Sequence, residues 1–217
     1  EADAGPDQTY FFSRWGEGDI EYADLNKDGK ITPGNNTLDD HGDLSIIGNS
    51  NPRFSYGINL GLDWKNFDLS VFCQGVGKRD GAPSGNMFYG ISGGIWGSSV
   101  FVQHLDYWSP DNPNAYYPKP YLGTNEHSKN TQTQTRFLQN AAYFRLKSFQ
   151  FGYTLPVEEK IKFPIEKIRF FVTGENLFTL TKMHKSFDPE TAFVGDYGSG
   201  KAYPLRRVFS FGLNVDL

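Results

Sequence analysis

The C-terminal stretch LRRVFSFGLNVDL, residues 205–217, decides how the chain is expected to fold. From position 209 onward, apolar and polar side chains alternate without interruption. This period of two is typical of a β-strand that has one apolar and one polar face. A terminal strand leaves an unpaired edge, and closure into a barrel removes that edge. An apolar row on a barrel strand would face lipid, and here that row is Phe209, Phe211, Leu213, Val215 and Leu217.

The composition favours strands and loops over helices. Of the 217 residues, 16% are aromatic and 24 are glycine, and aromatic residues fit the pleated surface of a sheet. The mean hydropathy is −0.52, and no apolar run approaches the ~20 residues that a spanning helix needs. Strands of a membrane barrel escape hydropathy scales because every second residue is polar. We therefore predict an all-β protein, an antiparallel transmembrane β-barrel.

Charge and residue patterns exclude several classes of function. The net charge of −4 argues against a nucleic-acid surface, and a single cysteine excludes an intrachain disulfide framework. The four histidines are scattered without zinc-binding spacing, and no nucleophile elbow occurs. We therefore expect that the protein is not an enzyme. The start, EADAGPDQTY, does not resemble a signal peptide, so we expect a chain that begins after processing or is a piece of a longer one.

Alternation recurs upstream of the last strand. Residues 53–76 are predicted to form a hairpin with a tight turn at 65–66, and each strand has about the 9–11 residues that cross a bilayer obliquely. Further strands are predicted at 143–155, at 168–173 and at 209–217. These segments would supply neighbours for the terminal strand.

The lengths of the predicted connections also follow a pattern. Those at 65–66 and 156–165 are short, whereas those at 1–52, 77–136 and 181–204 are long. Short and long connections alternate, so all long ones should lie at one end of the strands. Outer-membrane barrels have this asymmetry, with short periplasmic turns and long extracellular loops.

A candidate cation site lies in the first long connection. Residues 24–32, DLNKDGKIT, place oxygen-bearing side chains at positions 1, 3 and 5, glycine at 6 and an apolar residue at 8, as in the first half of a calcium loop. Position 12 is Asn35 instead of glutamate, so Asp39 or Asp40 would have to close the site. The candidate ligands are Asp24, Asn26, Asp28, Lys30, Asp39 and Asp40. The alternative is a plain turn in which Asp and Asn side chains bond to nearby backbone amides.

The loop at 77–136 carries a cluster of aromatic residues among amide and carboxylate side chains. Exposed aromatic rings in such surroundings suit stacking on sugar rings, and they could face a substrate or a lid protein. The alternative is that they pack the loop against itself. The candidates are Trp96, Trp108, Tyr116, Tyr117 and Tyr121.

A series of motifs, taken in order, resembles the C-terminal end of SusC/RagA-type TonB-dependent transporters, which are outer-membrane proteins of Bacteroidetes. The likeness covers nearly the whole chain. The motifs are GDIEYADLNKDGKI (18–31), NPRFSYG (51–57), WKNFDLSVFCQG (64–75), WSPDNP (108–113), AAYFRLKSFQFGYTLP (141–156), FFVTGENLFTLTK (170–182), DPE (188–190), YPLRR (203–207) and SFGLNV (210–215).

The resemblance implies a barrel of about 22 strands with a plugged lumen. The plug and the TonB-contacting region of such proteins lie N-terminal, so we expect both to be absent from this chain. Proteins of this type import glycan oligomers, and in some cases peptides, beneath a SusD-like surface lipoprotein. The expected divisions of 1–217 are an extracellular loop with the calcium-loop-like motif at 1–52, a hairpin at 53–76, a long extracellular loop at 77–136, and the last strands and loops at 137–217.

Another function remains open at this level: a soluble, carbohydrate-binding β-sandwich module with a calcium loop. Such a module would fold alone in water, whereas an open sheet with an apolar face would aggregate. A glycosidase is a more distant possibility because it needs two carboxylates facing each other across a cleft.

Overall fold

The computed structural model describes residues 5–12, 14–90, 100–121, 125–156, 165–193 and 202–216. Two predicted site residues, Trp96 and Leu217, lie outside this set. The chain divides into two compact units, which we describe separately. The first comprises Glu1–Gly48, Ala82–Leu138 and Phe193–Ala202, and the second comprises Asn49–Gly81, Gln139–Ala192 and Tyr203–Leu217.

The second unit is an antiparallel sheet. Its strands are β1 (Arg53–Trp64), β2 (Phe67–Lys78), β3 (Asp80–Gly81), β4 (Gln139–Asn140), β5 (Tyr143–Pro156), β6 (Lys167–Thr181) and β7 (Val208–Asp216). Five strands pair in the order β1-β2-β5-β6-β7, and β3 pairs with β4 separately. In the described part of the chain, β1 and β7 each pair on one side only, so the five strands form an open sheet.

The predicted strands are confirmed among the described residues, and β2, β5 and β6 extend beyond their predicted bounds. The hairpin turns at Lys65, whose φ of 55° is positive, and the backbone oxygen of Asn66 accepts a 2.8 Å hydrogen bond from the Thr154 amide. The strand predicted at 168–173 continues to Thr181. A break in the β5–β6 register lies within this continuation, and the φ of 51° at Asn176 falls there. The regular alternation is lost at this irregularity, but the strand runs to the start of the long connection that the sequence predicts at 181–204.

The register aligns side chains of like polarity across all five strands. One row runs through Leu62, Leu69, Phe151, Val172 and Phe211. Because side chains alternate between faces along a strand, this row and its equivalents build one continuous apolar face.

The opposite face is polar and contains glycines beneath large side chains. A parallel row runs through Gly61, Ser70, Gln150, Thr173 and Ser210. On this face a methyl group at Gly212 would overlap the Phe171 ring. Glycine in a strand interior is costly and often marks such a close approach.

The meander also explains the pattern of connections. All neighbouring strands are antiparallel, so the chain leaves β2 and enters β5 at the same end of the sheet. The chain leaves β6 and enters β7 at that end too. The long connections 79–142 and 182–207 therefore start and finish at the end opposite the Lys65 turn.

The first unit is built from loops and short helices. These are the α-helix α1 (Gly85–Tyr89) and 3-10 helices at Val102–Leu105 and Asn125–Lys129. Its core is aromatic: Phe88 is fully buried, and Phe137 and Tyr117 are 1% and 4% exposed. Among the residues described, no helix is long and apolar enough to cross a membrane.

Candidate functional site

The apolar face of the sheet is exposed. The Phe209 and Phe211 side chains are 69% and 84% exposed, and Leu213 and Val215 are also exposed. These are the described members of the row that the sequence assigns to lipid. On the opposite edge strand, Leu62 is 59% exposed. The whole width of the sheet thus presents apolar side chains that no other described part of the chain covers.

Aromatic rings gather at the short-turn end of this face. The Trp64 and Phe67 rings stack with centroids 6.3 Å apart, and Phe67 stacks on Phe151 at 5.6 Å. Tyr153 packs against Phe67 at 4.7 Å, and the Lys65 ammonium lies 4.8 Å from the Trp64 ring centroid. Such rings, with one apolar and one polar side, are typical of the girdle where a membrane meets water.

The polar face carries a buried cation near the long-connection end. Arg145 of β5 is 2% exposed, and its guanidinium donates hydrogen bonds to Thr179 Oγ1 at 2.8 Å, Glu190 Oε2 at 2.9 Å and Asp188 Oδ2 at 2.7 Å. Lys147 donates to both Glu190 oxygens, at 2.9 and 3.2 Å. Paired and hydrogen-bonded in this way, the buried charge is satisfied.

The two carboxylates belong to the Asp188-Pro189-Glu190 motif. It lies in residues 182–192, which return onto the sheet after β6, and we call this segment the strap. The Asp188 carboxylate accepts a 2.9 Å bond from the Glu190 amide, and the Asp188 backbone oxygen accepts one from Ala192 at 2.8 Å. Met183 and Phe187 of the strap are buried.

A second ion pair lies on the same polar face. Arg169 of β6 donates to both oxygens of Asp68 on β2, at 2.9 and 2.5 Å. A side chain at Gly152 on the intervening strand would collide with the Asp68 carboxylate. The glycine therefore allows the pair to bridge across β5.

In the first unit, Tyr116 and Tyr117 pack into the aromatic core. Tyr117 meets Phe88 edge-on at 5.8 Å and Tyr116 at 4.9 Å, and Tyr116 meets Phe137 at 5.5 Å. This placement matches the alternative of a loop packed against itself. Burial raises the pKa of the Tyr117 hydroxyl, which is buried and lacks a hydrogen-bond partner among the described residues.

The rings of Trp108 and Tyr121 both lie near the Lys119 ammonium. Its Nζ is 5.9 Å from the Trp108 centroid and 5.7 Å from the Tyr121 centroid. A small cavity of about 60 Å³ is lined by Tyr121, Lys119, Tyr117 and neighbouring residues. Three of the predicted aromatic residues therefore lie close to one another, at or beside this cavity.

A buried ion pair that sequence reasoning missed lies beneath Tyr121. Lys129 Nζ is 2.8 Å from Asp19 Oδ2, with side chains 3% and 0% exposed. Asn130 Nδ2 and the Tyr121 hydroxyl also donate to Asp19, at 2.9 and 3.1 Å. Burial and the bond to Asp19 raise the pKa of Tyr121. The partners are over a hundred residues apart in sequence, so no local pattern announces them.

The loop at 24–32 has the hydrogen bonding of an Asx-rich turn. Asp24 accepts bonds from the amides of Lys27 at 2.6 Å and Gly29 at 2.8 Å. Asn26 accepts from the Asp28 amide at 3.0 Å, and Asp28 accepts from the Lys30 amide at 2.8 Å. Gly29 has a φ of 81°, a left-handed conformation that favours glycine.

A carboxylate from outside the 24–32 loop, that of Asp43, binds to the backbone of the loop. It accepts bonds from the amides of Leu25 at 2.7 Å and Thr32 at 2.8 Å. Asp40 instead accepts from the Asn35 amide and side chain, at 3.2 and 2.7 Å, and Asp39 is exposed. Within the described ranges, no three His, Cys, Asp or Glu side chains cluster in a way suited to a metal, and the calcium site stays a prediction.

Two curated proteins are similar to the chain in sequence. The chain is 31% identical over 206 residues to TonB-dependent receptor P3 of Formosa agariphila and 25% identical over 213 residues to TonB-dependent receptor P26 of the same organism. These alignments cover 89% and 91% of the chain but only 18% and 19% of the receptors. No family model matches the chain.

Solved structures agree. The chain superimposes on the RagAB peptide transporter with a TM-score of 0.59 and 25% identity, covering 78% of this chain and 18% of that one. The RagAB peptide importer in its closed-closed state gives a TM-score of 0.56 and 26% identity, with the same coverage of each chain. An antiparallel sheet whose apolar face is exposed from edge to edge is typical of the wall of a membrane barrel. Together the likenesses identify the chain as a SusC/RagA-like TonB-dependent transporter segment of the bacterial outer membrane.

Proposed function

We propose that the chain forms part of the barrel wall of a TonB-dependent transporter that imports oligomeric nutrients across the outer membrane. The observation that carries the proposal is the continuous apolar face of the five-stranded sheet, exposed at Leu62 on one edge strand and at Phe211 on the other. A face of this size, fully wetted, would be a strong aggregation site. Contact with the hydrocarbon of a bilayer would cover this face and so prevent aggregation.

The polar face then lines the lumen. Its polar rows and ion pairs suit a water-filled or plugged interior. The unpaired edges of β1 and β7 require neighbouring strands, because no lipid can satisfy open backbone groups. In the proposed barrel of about 22 strands, the remaining strands, the plug and the TonB contact come from the rest of the transporter, since the chain spans about a fifth of the curated relatives it matches.

The orientation follows from the two ends of the sheet. The Lys65 turn, with its aromatic cluster, is the periplasmic end, and the long connections are extracellular. The proposed loop assignments are the 1–52 loop and the 77–136 loop on the outside. There they would meet a SusD-like surface lipoprotein and the substrate.

The substrate is an oligosaccharide or a peptide. RagAB, a structural neighbour, is a peptide transporter, and the aromatic residues Trp108 and Tyr121 with the adjacent cavity suit either class. No enzymatic role is proposed. A soluble β-sandwich is disfavoured because its core would need Phe209 and Phe211 buried, and both are exposed.

The test of the proposal is a charge placed on the apolar face. Phe211→Arg should oppose membrane assembly by about 2–4 kcal/mol at mid-depth. The matched control is Ser210→Arg on the adjacent residue, whose side chain points to the polar face. Full-length transporter carrying each variant is refolded into lipid vesicles, and folded protein is quantified by heat-dependent electrophoretic mobility. Equal folding of the two variants would contradict the proposal.

One structural Ca²⁺ in the 24–32 loop completes the proposal. It is supported by the ligand spacing and by carboxylates that keep lone pairs beyond those used by amides. Calorimetric titration of the chelator-treated transporter with CaCl₂ should give binding that Asp24→Asn weakens. Asp39→Asn, Asp40→Asn and Asp43→Asn decide which residue closes the site. Absence of calcium-dependent heat would dismiss the ion and leave the turn.

A further inference from the structure

Arg145 forms hydrogen bonds both within the sheet and outside it. Its neighbour across the ladder on β6, Thr179, already accepts one bond at 2.8 Å. The remaining guanidinium nitrogens reach Asp188 and Glu190, which lie beyond the strand in the strap. The arginine thus connects the wall of the sheet to a segment that follows it in the chain.

A β-bulge places a second cation beside the first. The β2–β5 and β5–β6 registers both shift around Lys147, which opposes no single partner residue. Bulges re-aim side chains and recur next to functional sites. Here Lys147, 21% exposed, reaches Glu190 at 2.9 Å, so Glu190 is shared by two cations.

The strap has attachments besides these ion pairs, such as the 3.1 Å hydrogen bond that the His184 amide donates to Gln139 Oε1. Its exposed lysines, Lys182 and Lys185, alternate with the buried Met183 and Phe187, 5% and 8% exposed. An open groove of about 420 Å³ is lined by Arg145, Thr181, Phe187 and Pro204 among others. The ion pairs add charged contacts to the buried apolar side chains and fix the position of Asp188 and Glu190 on β5.

We infer that Arg145 is a positioning residue: with Asp188 and Glu190 it forms a latch that holds the 182–192 strap against the lumen wall. This inference rests on the proposed function, because it takes the polar face as the lumen side. Removing one partner of a buried pair leaves an uncompensated charge, so the latch should open when either side is neutralised.

The first experiment measures docking of the strap. Full-length transporter in detergent is digested with trypsin, and cleavage after Lys182 and Lys185 is followed by mass spectrometry. We expect Arg145→Met to speed this cleavage on the order of tenfold or more, because local opening governs proteolysis. Arg145→Lys should give an intermediate rate. The matched control, Arg169→Met, breaks the other ion pair of the same face and should leave the rate unchanged.

The second experiment is the same digestion of Glu190→Gln, which releases Lys147 and one Arg145 contact. This variant should also speed cleavage after Lys182 and Lys185. It replaces Arg145→Met in the test if that variant fails to fold.

The outcomes separate the inference from the proposed function. Cleavage of Arg145→Met as slow as in the wild type overturns the latch, and so does equally fast cleavage of Arg169→Met. Both results leave the membrane proposal intact, because they do not depend on membrane insertion. Normal insertion of Phe211→Arg would instead overturn the membrane proposal, and the proteolysis result would still stand.

Discussion

The two units of the chain differ in whether their apolar side chains are buried or exposed. The loop-built unit turns aromatic rings inward, so that Phe88 and Phe137 are 0% and 1% exposed. The sheet unit turns them outward, so that Phe209 and Phe211 are 69% and 84% exposed. The first unit has a core of its own. The second has an apolar surface that depends on an apolar environment, and regular strands therefore do not imply the better-packed unit.

Charges do not follow this contrast, because each unit buries an ion pair. The Lys129 and Asp19 side chains of the loop-built unit are 3% and 0% exposed, and those of Arg145 and Asp188 in the sheet unit are 2% and 10% exposed. In both units the buried pair joins segments that no backbone ladder connects. The pair of Arg169 and Asp68, which lies within the ladder, is more exposed, at 23% and 28%.

The largest effect is expected from truncating a ring in the aromatic core. Phe88→Ala should destabilise the loop-built unit by about 3–5 kcal/mol, because it removes a fully buried ring and leaves a cavity. Phe209→Ala, the matched change on the exposed face, should alter stability by only about 0.5 kcal/mol in detergent. Hydrogen exchange of peptides from each unit of the full-length transporter checks both values. Similar losses would erase the contrast between the units.

Breaking the buried ion pair should destabilise the loop-built unit almost as much as truncating its aromatic core. Asp19→Ala leaves the Lys129 ammonium buried without its carboxylate and should cost about 3–5 kcal/mol. The exposed pair of Arg14 and Glu126, 3.7 Å apart, provides the control, and Arg14→Ala should cost about 0–1 kcal/mol. Amide exchange around Ile20, whose N–H is bonded to Asn130, reports the difference. A small effect of Asp19→Ala would mean that aromatic packing alone holds this unit.

The smallest effect is a dependence on pH. Burial lowers the pKa of His104, whose Nδ1 accepts a bond from the Phe101 amide at 3.0 Å and whose Nε2 lies 2.9 Å from the Phe88 oxygen. The unfolded chain takes up the proton near pH 6.5, and the folded chain does so only at lower pH. Stability of this unit should therefore be constant above about pH 6.5 and fall below it.

The control for this dependence is His104→Gln, which cannot titrate. Exchange rates of the 101–105 segment, compared between pH 7.5 and pH 5.5 after correction for intrinsic rates, measure the change. The wild type should lose more protection than the variant at acidic pH. Equal losses would assign the acid sensitivity to other groups.

Much of the sheet could be predicted from local alternation, and the loop-built unit could not. The hairpin around Lys65 and the strand from Val208 were readable because a period of two reports directly which side chains share a face. In β6 the alternation is readable only as far as Thr173, because the irregularity at Asn176 interrupts the period, and the end of the strand follows from the loop predicted at 181–204. The paired roles of Asp19 and Lys129, or of Arg145 and Glu190, join residues far apart in sequence, and no short pattern records them.

The calcium-loop-like segment at 24–32 illustrates a finer limit. Its spacing was visible in Asp24, Asn26 and Asp28, and the left-handed Gly29 fits the position that the pattern assigns to glycine. The carboxylate lying on the loop is nevertheless Asp43, beyond the two residues that the spacing suggested. The path of residues 33–42 decides which of the nearby aspartates accepts hydrogen bonds from the loop. The spacing of the motif does not determine that path.

The sequence by itself determined the strands, their two-faced character and the end of the sheet from which the long connections leave, because alternation and loop length are local properties. Only the tertiary structure decided that Tyr117 is a core residue, that Asp43 lies on the calcium-like loop, and that Arg145 fastens the strap. Those outcomes depend on which distant segments meet, and long-range contacts are set by packing and charge compensation in three dimensions.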